Sequence, residues 1–258
     1  MTRVFFAILI CCLCSAGFAF ELNGSVQKQE VYKMNTVSDK ASGYSVADAI
    51  VSVPNKGYVT HTDSSGKFSL PPNLSPPFVL AVKKQGYQPF SLTVNEYGET
   101  PFNLSISKSS ANKLAVESDT FHLGDNSYSE SSANAGDFRV KSSGVFYQKS
   151  VFIKNLAPDE KVVIAIGSLI GVDTKEAKRL HQTNVIDAYS SPVRIFLNGK
   201  EIGNLKINGD NQKISVPKTF IRQNANNIIK IVAGINQTQS DYTDYDDFEF
   251  TNLFLEYR

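Results

Sequence analysis

Tryptophan is absent from this 258-residue chain, and its three cysteines all lie within the first fourteen residues. They belong to an apolar run that follows Arg3 and is too short to span a bilayer. Small residues at Gly17 and Ala19 complete the pattern of a secretory signal peptide cleaved before Phe20. Removal of residues 1–19 would therefore leave an exported protein with no disulfide, thiol nucleophile or thiolate metal ligand.

The same cysteines raise the alternative of a lipid anchor. Bacterial lipidation needs a small residue directly before the modified cysteine, but Cys11 follows Ile10, Cys12 follows Cys11, and Cys14 follows Leu13. No later stretch is long and apolar enough to span a membrane. We therefore expect a soluble protein, either periplasmic or extracellular.

Charge of one sign is also missing, because 26 Lys and Arg residues are balanced by 25 Asp and Glu residues. Without a bulk positive charge, nucleic acid is not an expected partner. The chain has instead many β-branched residues, Ser, Asn and Gly, together with 17 Phe and 11 Tyr. This composition is typical of strands and tight turns, and it predicts an all-β protein.

In the first half, short apolar runs alternate with turn residues and predict a β-sandwich. The turn at residues 63–66 is the clearest, because Asp63 can bond its own backbone and Gly66 can adopt positive φ. Phe68 would then point inward. The predicted strands cover residues 49–53, 58–62, 67–70, 78–82, 90–94 and 102–106.

Four segments of this half resemble the carboxypeptidase regulatory-like (transthyretin-like) domain: residues 23–26, 47–53, 62–70 and 84–87. The resemblance covers roughly residues 22–106 and implies a sandwich at residues 20–107. Residues 29–44 form a longer insertion than the family usually has, and we expect a surface loop there. Domains of this family are mostly non-catalytic supports or adhesion modules.

A polar, Ser- and Lys-rich segment at residues 108–118 predicts a linker between two separately folding units. The second half again shows strand patterns, and Asn198-Gly199 is a strong hairpin signal. One helix is expected at residues 174–181, with Asp173 as its N-cap. The predicted strands cover residues 145–153, 162–169, 193–197, 200–205, 227–233 and 248–257, and the second run should be a central buried strand.

This half resembles the galactose-binding-like jelly roll found in carbohydrate-binding modules. The resemblance rests on residues 121–125, 193–203, 226–231 and 246–253, and it extends over residues 119–258. It implies a second β-sandwich, but this fold hosts unrelated functions and does not identify a ligand.

Catalytic patterns are missing from the sequence. His61, His122 and His181 do not combine with other side chains at catalytic or metal-ligand spacings, so structural roles are expected for them. There is no G-x-S-x-G nucleophile motif. We therefore expect no enzymatic activity.

Residues 241–249 are strongly acidic. A cation would relieve repulsion among these carboxylates, and Ca²⁺ prefers several oxygen ligands. Galactose-binding-like folds often share a structural calcium site between the first and last strands, which implies Asp125, Asp247 and Glu249 as metal ligands. The alternative is a solvated acidic loop.

Tyrosines alternate with the acids in this segment. Tyr242 and Tyr245 could stack on the CH faces of a sugar, while Asp244 and Asp246 accept hydrogen bonds from its hydroxyl groups. An ordinary edge loop with tyrosines folded onto the core is the alternative. The missing tryptophan counts modestly against sugar binding.

The sequence thus predicts an exported, non-catalytic protein that binds glycan or another surface polymer through its C-terminal jelly roll. A structural or adhesive subunit with a protein partner is the alternative, and a secreted hydrolase comes third. A binder should bring aromatic and acidic side chains together on one surface. An assembly subunit should expose an apolar patch or an open strand edge.

Overall fold

The structure, a computed structural model, describes residues 34–128, 138–186 and 188–258. The predicted signal peptide and the first segment of the carboxypeptidase regulatory-like resemblance lie outside these residues. Residues 32–258 belong to one compact unit. This unit is almost entirely β-structure, with two separate hydrophobic cores, so the predicted all-β sandwich class is confirmed.

The first core lies between a three-stranded sheet, order β4-β1-β7, and a four-stranded sheet, order β3-β2-β5-β6. The turn before β4 forms as predicted: Asp63 Oδ1 accepts hydrogen bonds from the backbone N–H groups of Ser65 and Lys67, and Phe68 is buried. The strands are β1 (Asn35–Asp39), β2 (Ile50–Val53), β3 (Tyr58–His61), β4 (Lys67–Phe68), β5 (Phe78–Lys83), β6 (Phe90–Val94) and β7 (Asn103–Ile106).

Strand β1 corrects the expectation of a surface loop at residues 29–44. It pairs with β4 and runs parallel to β7, with Val37 opposite Leu104. Val37 is its one buried apolar residue, and its other inward positions are polar. The buried Asn35 has hydrogen-bond partners for its side chain: Nδ2 donates to Phe68 O, and Oδ1 accepts from Phe102 N. These internal hydrogen bonds stabilise a strand that has little apolar patterning.

The second core lies between two four-stranded sheets, here called sheet I (order β13-β10-β15-β8) and sheet II (order β12-β11-β14-β9). Strand β10 lies inside sheet I between β13 and β15, which confirms the predicted central buried strand. The strands are β8 (Lys113–Leu123), β9 (Phe146–Ile153), β10 (Val162–Ile170), β11 (Val193–Leu197), β12 (Lys200–Leu205), β13 (Gly209–Val216), β14 (Ala225–Val232) and β15 (Phe248–Tyr257).

The predicted hairpin and helix are both present in this half. Asn198 and Gly199 adopt φ values of 51° and 79° in the turn between β11 and β12. The helix α1 spans Lys175–Arg179, but its N-cap is Thr174, whose hydroxyl accepts from Ala177 N at 3.1 Å. The predicted cap, Asp173, was therefore wrong by one residue. Asp173 lines a pocket instead.

The outer face of sheet I is covered by strand β6 of the first sandwich. Asp210 of β13 accepts from Thr93 N at 3.0 Å and from Thr93 Oγ1 at 2.7 Å. The side-chain amide of Asn252 is oriented so that its nitrogen donates to Ser118 O and its oxygen accepts from Ser91 N. Polar contacts thus join the two sandwiches directly.

The segment between the sandwiches is partly regular structure. Strand β8 begins at Lys113, so the last six residues of the predicted linker 108–118 belong to sheet I. Leu114 lies opposite Leu255, and Glu117 lies opposite Leu253. Among the described residues, no helix is long and apolar enough to cross a membrane.

Candidate functional site

Three loops meet at one end of the second sandwich. The antiparallel ladders place Leu123, the end of β8, opposite Phe248, the start of β15, and Ile170 of β10 opposite Glu249. The loops that follow β8 and β10 and the loop that precedes β15 therefore emerge together. They enclose a pocket of about 350 Å³, here called the end pocket.

Tyrosines, carboxylates and an amide line the end pocket. Its aromatic residues come from all three loops: Tyr128, Tyr189 and Tyr245. Its polar lining includes Asp173, Asn236, Asp244, Asp246 and Asp247. Three residues of the acidic segment predicted from the sequence, Asp244, Tyr245 and Asp246, therefore meet in one cavity. Tyr242, the fourth predicted ligand-binding residue, is 58% exposed and lies outside the pocket lining.

Asp246 is buried beside a second carboxylate. Its Oδ2 accepts from the backbone N–H of Asp173 at 3.1 Å. Burial, and then the negative charge of Asp173, raise the pKa of Asp246 well above its usual value, although hydrogen bonds from Asp173 N and Ser190 oppose this. A protonated Asp246 can donate a hydrogen bond, which an ionised carboxylate cannot do.

Asp247 forms a buried ion pair with His122. The distance from Asp247 Oδ1 to His122 Nε2 is 2.7 Å, and the other ring nitrogen donates to Val140 O. Burial lowers the pKa of His122, but the hydrogen bonds to Asp247 and Val140, with the charges of Asp247 and Glu249, raise it on balance. The ion pair gives His122 the structural role expected from the sequence.

Close packing around this pair requires glycine at position 124. Gly124 has φ +143°, and a Cβ there would lie 2.3 Å from Asp247 Oδ1. The same Oδ1 accepts from Asn126 N at 2.9 Å. The loop after β8 is therefore attached to the start of β15 through one carboxylate oxygen.

Asp125 also connects two loops, through its two carboxylate oxygens. Oδ1 accepts from Ser127 N at 3.0 Å, and Oδ2 accepts from Tyr245 N at 2.9 Å. The side chain of Asp125 thus holds the loop after β8 against the acidic segment before β15. These contacts give Asp125 a structural role at the edge of the end pocket.

The three predicted metal ligands do not form one group. Asp125 faces backbone N–H groups, whereas Asp247 and Glu249 both lie beside His122. Among residues 34–128, 138–186 and 188–258, no three His, Cys, Asp or Glu side chains form a group that could hold a metal ion. Calcium binding stays a prediction that the observed geometry does not support.

Asp244 presents a hydrogen-bond acceptor to the end pocket. Its Oδ2 accepts from Asn236 Nδ2 at 2.8 Å. Its Oδ1 is buried and has no hydrogen-bond donor among the described residues, and the same is true of Asp247 Oδ2. Buried acceptors without donors are costly, and both side chains belong to the lining of the end pocket.

Sequence reasoning missed half of the end pocket. Asp173, Tyr189 and Asn236 lie in loops with no motif, and the last of them is brought in by a bridge between Ser190 and Asn236. Asp173 lies directly before the helix, and this position predicts a helix cap rather than a pocket residue. Tertiary contact alone brings these residues to the acidic segment.

Comparison with known proteins does not assign a family. No protein-family model matches the chain, and no curated protein is detectably similar. Among solved structures, a glycosyl hydrolase family 2 member from Bacteroides cellulosilyticus has a TM-score of 0.31 at 8% identity, covering 57% of this chain and 20% of that chain. A β-D-glucuronidase from Dictyoglomus thermophilum has a TM-score of 0.29 at 10% identity, covering 58% and 29%. Both similarities are too low to indicate an activity.

Proposed function

We propose that this is an exported, non-catalytic binding protein whose second sandwich takes a neutral carbohydrate in the end pocket. The proposal includes the two resemblances found in the sequence, a carboxypeptidase regulatory-like sandwich followed by a galactose-binding-like jelly roll. The second supplies the binding site, and the first covers the outer face of sheet I.

The two buried acceptors carry this proposal. Asp244 Oδ1 and Asp247 Oδ2 have no hydrogen-bond donor among the described residues, and both side chains line the end pocket. Sugar hydroxyl groups can donate to such oxygens, and a carboxylate accepts these bonds more strongly than a neutral group does. A sugar hydroxyl group that reaches either oxygen would remove the cost of an unsatisfied acceptor.

Size and charge restrict the ligand further. About 350 Å³ lies at the lower end of the range for small-molecule sites, and it suits one or two sugar rings. Tyr128 and Tyr245 offer apolar ring surface for sugar CH groups, whereas Lys175 and Lys178 lie over the ring of Tyr189. The surrounding carboxylates would repel an anion, which favours an uncharged sugar.

Neutral glycans on an array, followed by calorimetric titration of those that bind, test the proposal with residues 20–258. We expect Tyr128→Ala to weaken binding about ten-fold, as loss of a stacked ring costs about 1–1.5 kcal/mol. Tyr44→Ala is the matched control, because Tyr44 is 78% exposed on the first sandwich. Tyr242→Ala distinguishes binding in the end pocket from binding on the exposed loop surface, because Tyr242 lies outside the pocket lining.

Absence of any bound neutral glycan would contradict the proposal, as would unchanged affinity in Tyr128→Ala. A loss seen only in Tyr242→Ala would move the site to the loop surface. Release of sugar or nitrophenol from nitrophenyl glycosides would show that the site is catalytic. We expect no turnover with these substrates.

A further inference from the structure

The two faces of the second sandwich differ in what covers them. The outer face of sheet I packs against β6 of the first sandwich, so β10 and β15 are buried along almost their whole length. In sheet II, by contrast, β11 and β14 alternate between buried and accessible residues. Within the described chain, the outer face of sheet II is therefore open to solvent.

Cations and aromatic rings occupy neighbouring positions on this open face. Arg194 lies opposite Val232, which lies opposite Phe146 on the next strand. In the second row, Phe196 lies opposite Lys230, which in turn lies opposite Gln148. Residues directly opposite each other in antiparallel strands share a face, so the two rows form one continuous surface.

The aromatic rings hold the cations in place. Lys230 Nζ lies 4.1 Å from the centre of the Phe146 ring, and the Arg194 guanidinium lies 5.5 Å from that of Phe196. Both distances are within the range of cation–π attraction. Arg194, Phe196 and Lys230, with Arg222 and the turn at Asn198, line a groove of about 500 Å³, here called the sheet II groove.

The positive charge of the groove is not neutralised within the described chain. Arg194, Arg222 and Lys230 form no ion pair with any described carboxylate. The ladder does place Glu201 opposite Phe196 at the edge of this face, but Glu201 does not line the groove. Three unpaired cations in one groove on a nearly neutral chain are therefore a local feature.

We propose that the sheet II groove binds an acidic polysaccharide, with sugar carboxylates on Arg194, Arg222 and Lys230. The planar guanidinium group forms two parallel hydrogen bonds with a carboxylate. Ile228 and Val232 lie on either side of Lys230 on the same face of β14, and their partly exposed side chains suit the CH faces of sugar rings. Gln148 adds an exposed amide for hydroxyl groups.

The geometry favours this occupant over other polyanions and over self-association. Single-stranded nucleic acid binds through bases stacked on aromatic rings, but Lys230 and Arg194 already occupy the rings of Phe146 and Phe196. Two copies meeting through this face would bring like charges together. An acidic peptide has the charge but lacks the repeating CH faces that match Ile228 and Val232.

Calorimetric titration of residues 20–258 with oligogalacturonate tests the proposal. We expect binding that weakens when salt rises to about 1 M, where the Debye length is only about 3 Å. Arg194→Gln and Lys230→Gln should each weaken binding about ten-fold, equivalent to about 1.4 kcal/mol. Lys161→Gln, which removes an exposed charge elsewhere on the same sandwich, is the matched control.

Three other probes test the alternative occupants of the groove: an uncharged oligosaccharide of the same length, polyaspartate and single-stranded DNA. Tighter binding of any of the three than of oligogalacturonate overturns the proposal, as does no binding of oligogalacturonate. Equal affinity in Arg194→Gln and Lys161→Gln also overturns it. Tyr128→Ala should leave oligogalacturonate binding unchanged, so failure at the end pocket and failure at the sheet II groove are distinguishable.

Discussion

Asp246 and Asp247 are neighbours in sequence but have opposite electrostatic surroundings. Asp247 forms an ion pair with His122, whereas Asp246 is buried next to the carboxylate of Asp173. The pKa of Asp246 is raised by burial first and by that neighbouring charge second. One wall of the end pocket therefore combines an ion pair with a carboxyl group that favours its protonated form.

Asp246→Asn should make the protein more stable at neutral pH. Because the pKa of Asp246 is raised in the folded state, that state keeps a proton that the unfolded chain loses above about pH 4. Stability is thus lost as pH rises from that value towards the folded pKa, by up to about 1.4 kcal/mol per pH unit. Asparagine removes this loss and can still accept from Asp173 N. Urea unfolding across this pH range measures the difference.

Asp241→Asn serves as the control, because Asp241 is exposed in the same acidic segment. The gain in stability should vanish below about pH 3, where Asp246 is protonated in both the folded and the unfolded state. An equal pH dependence in wild type and Asp246→Asn would show that burial does not perturb this carboxyl group.

Residue patterns alone could predict the acidic half of the end pocket but not its other half. Asp244, Tyr245 and Asp246 were found because tyrosines and acids alternate within a few residues of sequence. Tyr189 and Asn236 are isolated residues in loops, and backbone bridges through Ser190 bring them together. Local sequence patterns do not predict such contacts between segments that are far apart in the chain.

Among the elements, β10 and β15 both have two buried faces, and β10 has the more extensive contact with the first sandwich. One face of β10 packs into the second core, and the other meets β6 of the first sandwich. Gly167 lies at this contact, where a Cβ would be 2.5 Å from Ser91 Oγ and 2.8 Å from Thr251 O. The backbone oxygen of Thr251 cannot move away by changing a rotamer.

Gly167→Ala should therefore destabilise the protein by about 1–3 kcal/mol, the usual cost of overpacking. Gly98→Ala is the matched control, since nothing lies within 4 Å of the Cβ position there. Urea midpoints of the two variants, compared with wild type, measure the effect. Equal midpoints would mean that β6 and β10 do not pack closely in solution.

Apolar patterning identified most strands but missed those with polar inward positions or weak alternation. The continuous apolar run of β10 predicts burial on both faces, whereas β15 is also buried on both faces although polar residues interrupt its sequence. Strand β13, with only Ile214 and Val216 as large apolar residues, was not predicted at all. The start of β8 falls within residues 108–118, whose Ser- and Lys-rich sequence predicts a linker. Pairing with β10 and β15 stabilises these strands, and their own sequences do not.

For the molecule as a whole, the boundary between sandwiches lies before Lys113. A fragment of residues 113–258 keeps all of β8, whereas 119–258 removes six residues of β8, four of which pair with β15. We expect the longer fragment to unfold cooperatively but at a lower temperature than the full chain, because the outer face of sheet I becomes exposed. The shorter one should be less stable by about 1 kcal/mol or more, since it loses the packing of Val116.

Thermal melts of both fragments and of residues 20–258 measure this order. Aggregation of residues 113–258 would show that the second sandwich depends on the first. Equal melting temperatures for the two fragments would show that residues 113–118 add nothing to sheet I.

The position of β15 also sets an order of assembly. In sheet I, β15 lies between β8 and β10, which have no ladder with each other. The ribosome makes both of them well before β15, and so they cannot join until that strand emerges. The first sandwich, complete at Ile106, can fold while the second half is still being synthesised. During that interval, the apolar residues of β10 are a target for chaperones, and export of the chain unfolded would postpone this exposure until after translocation.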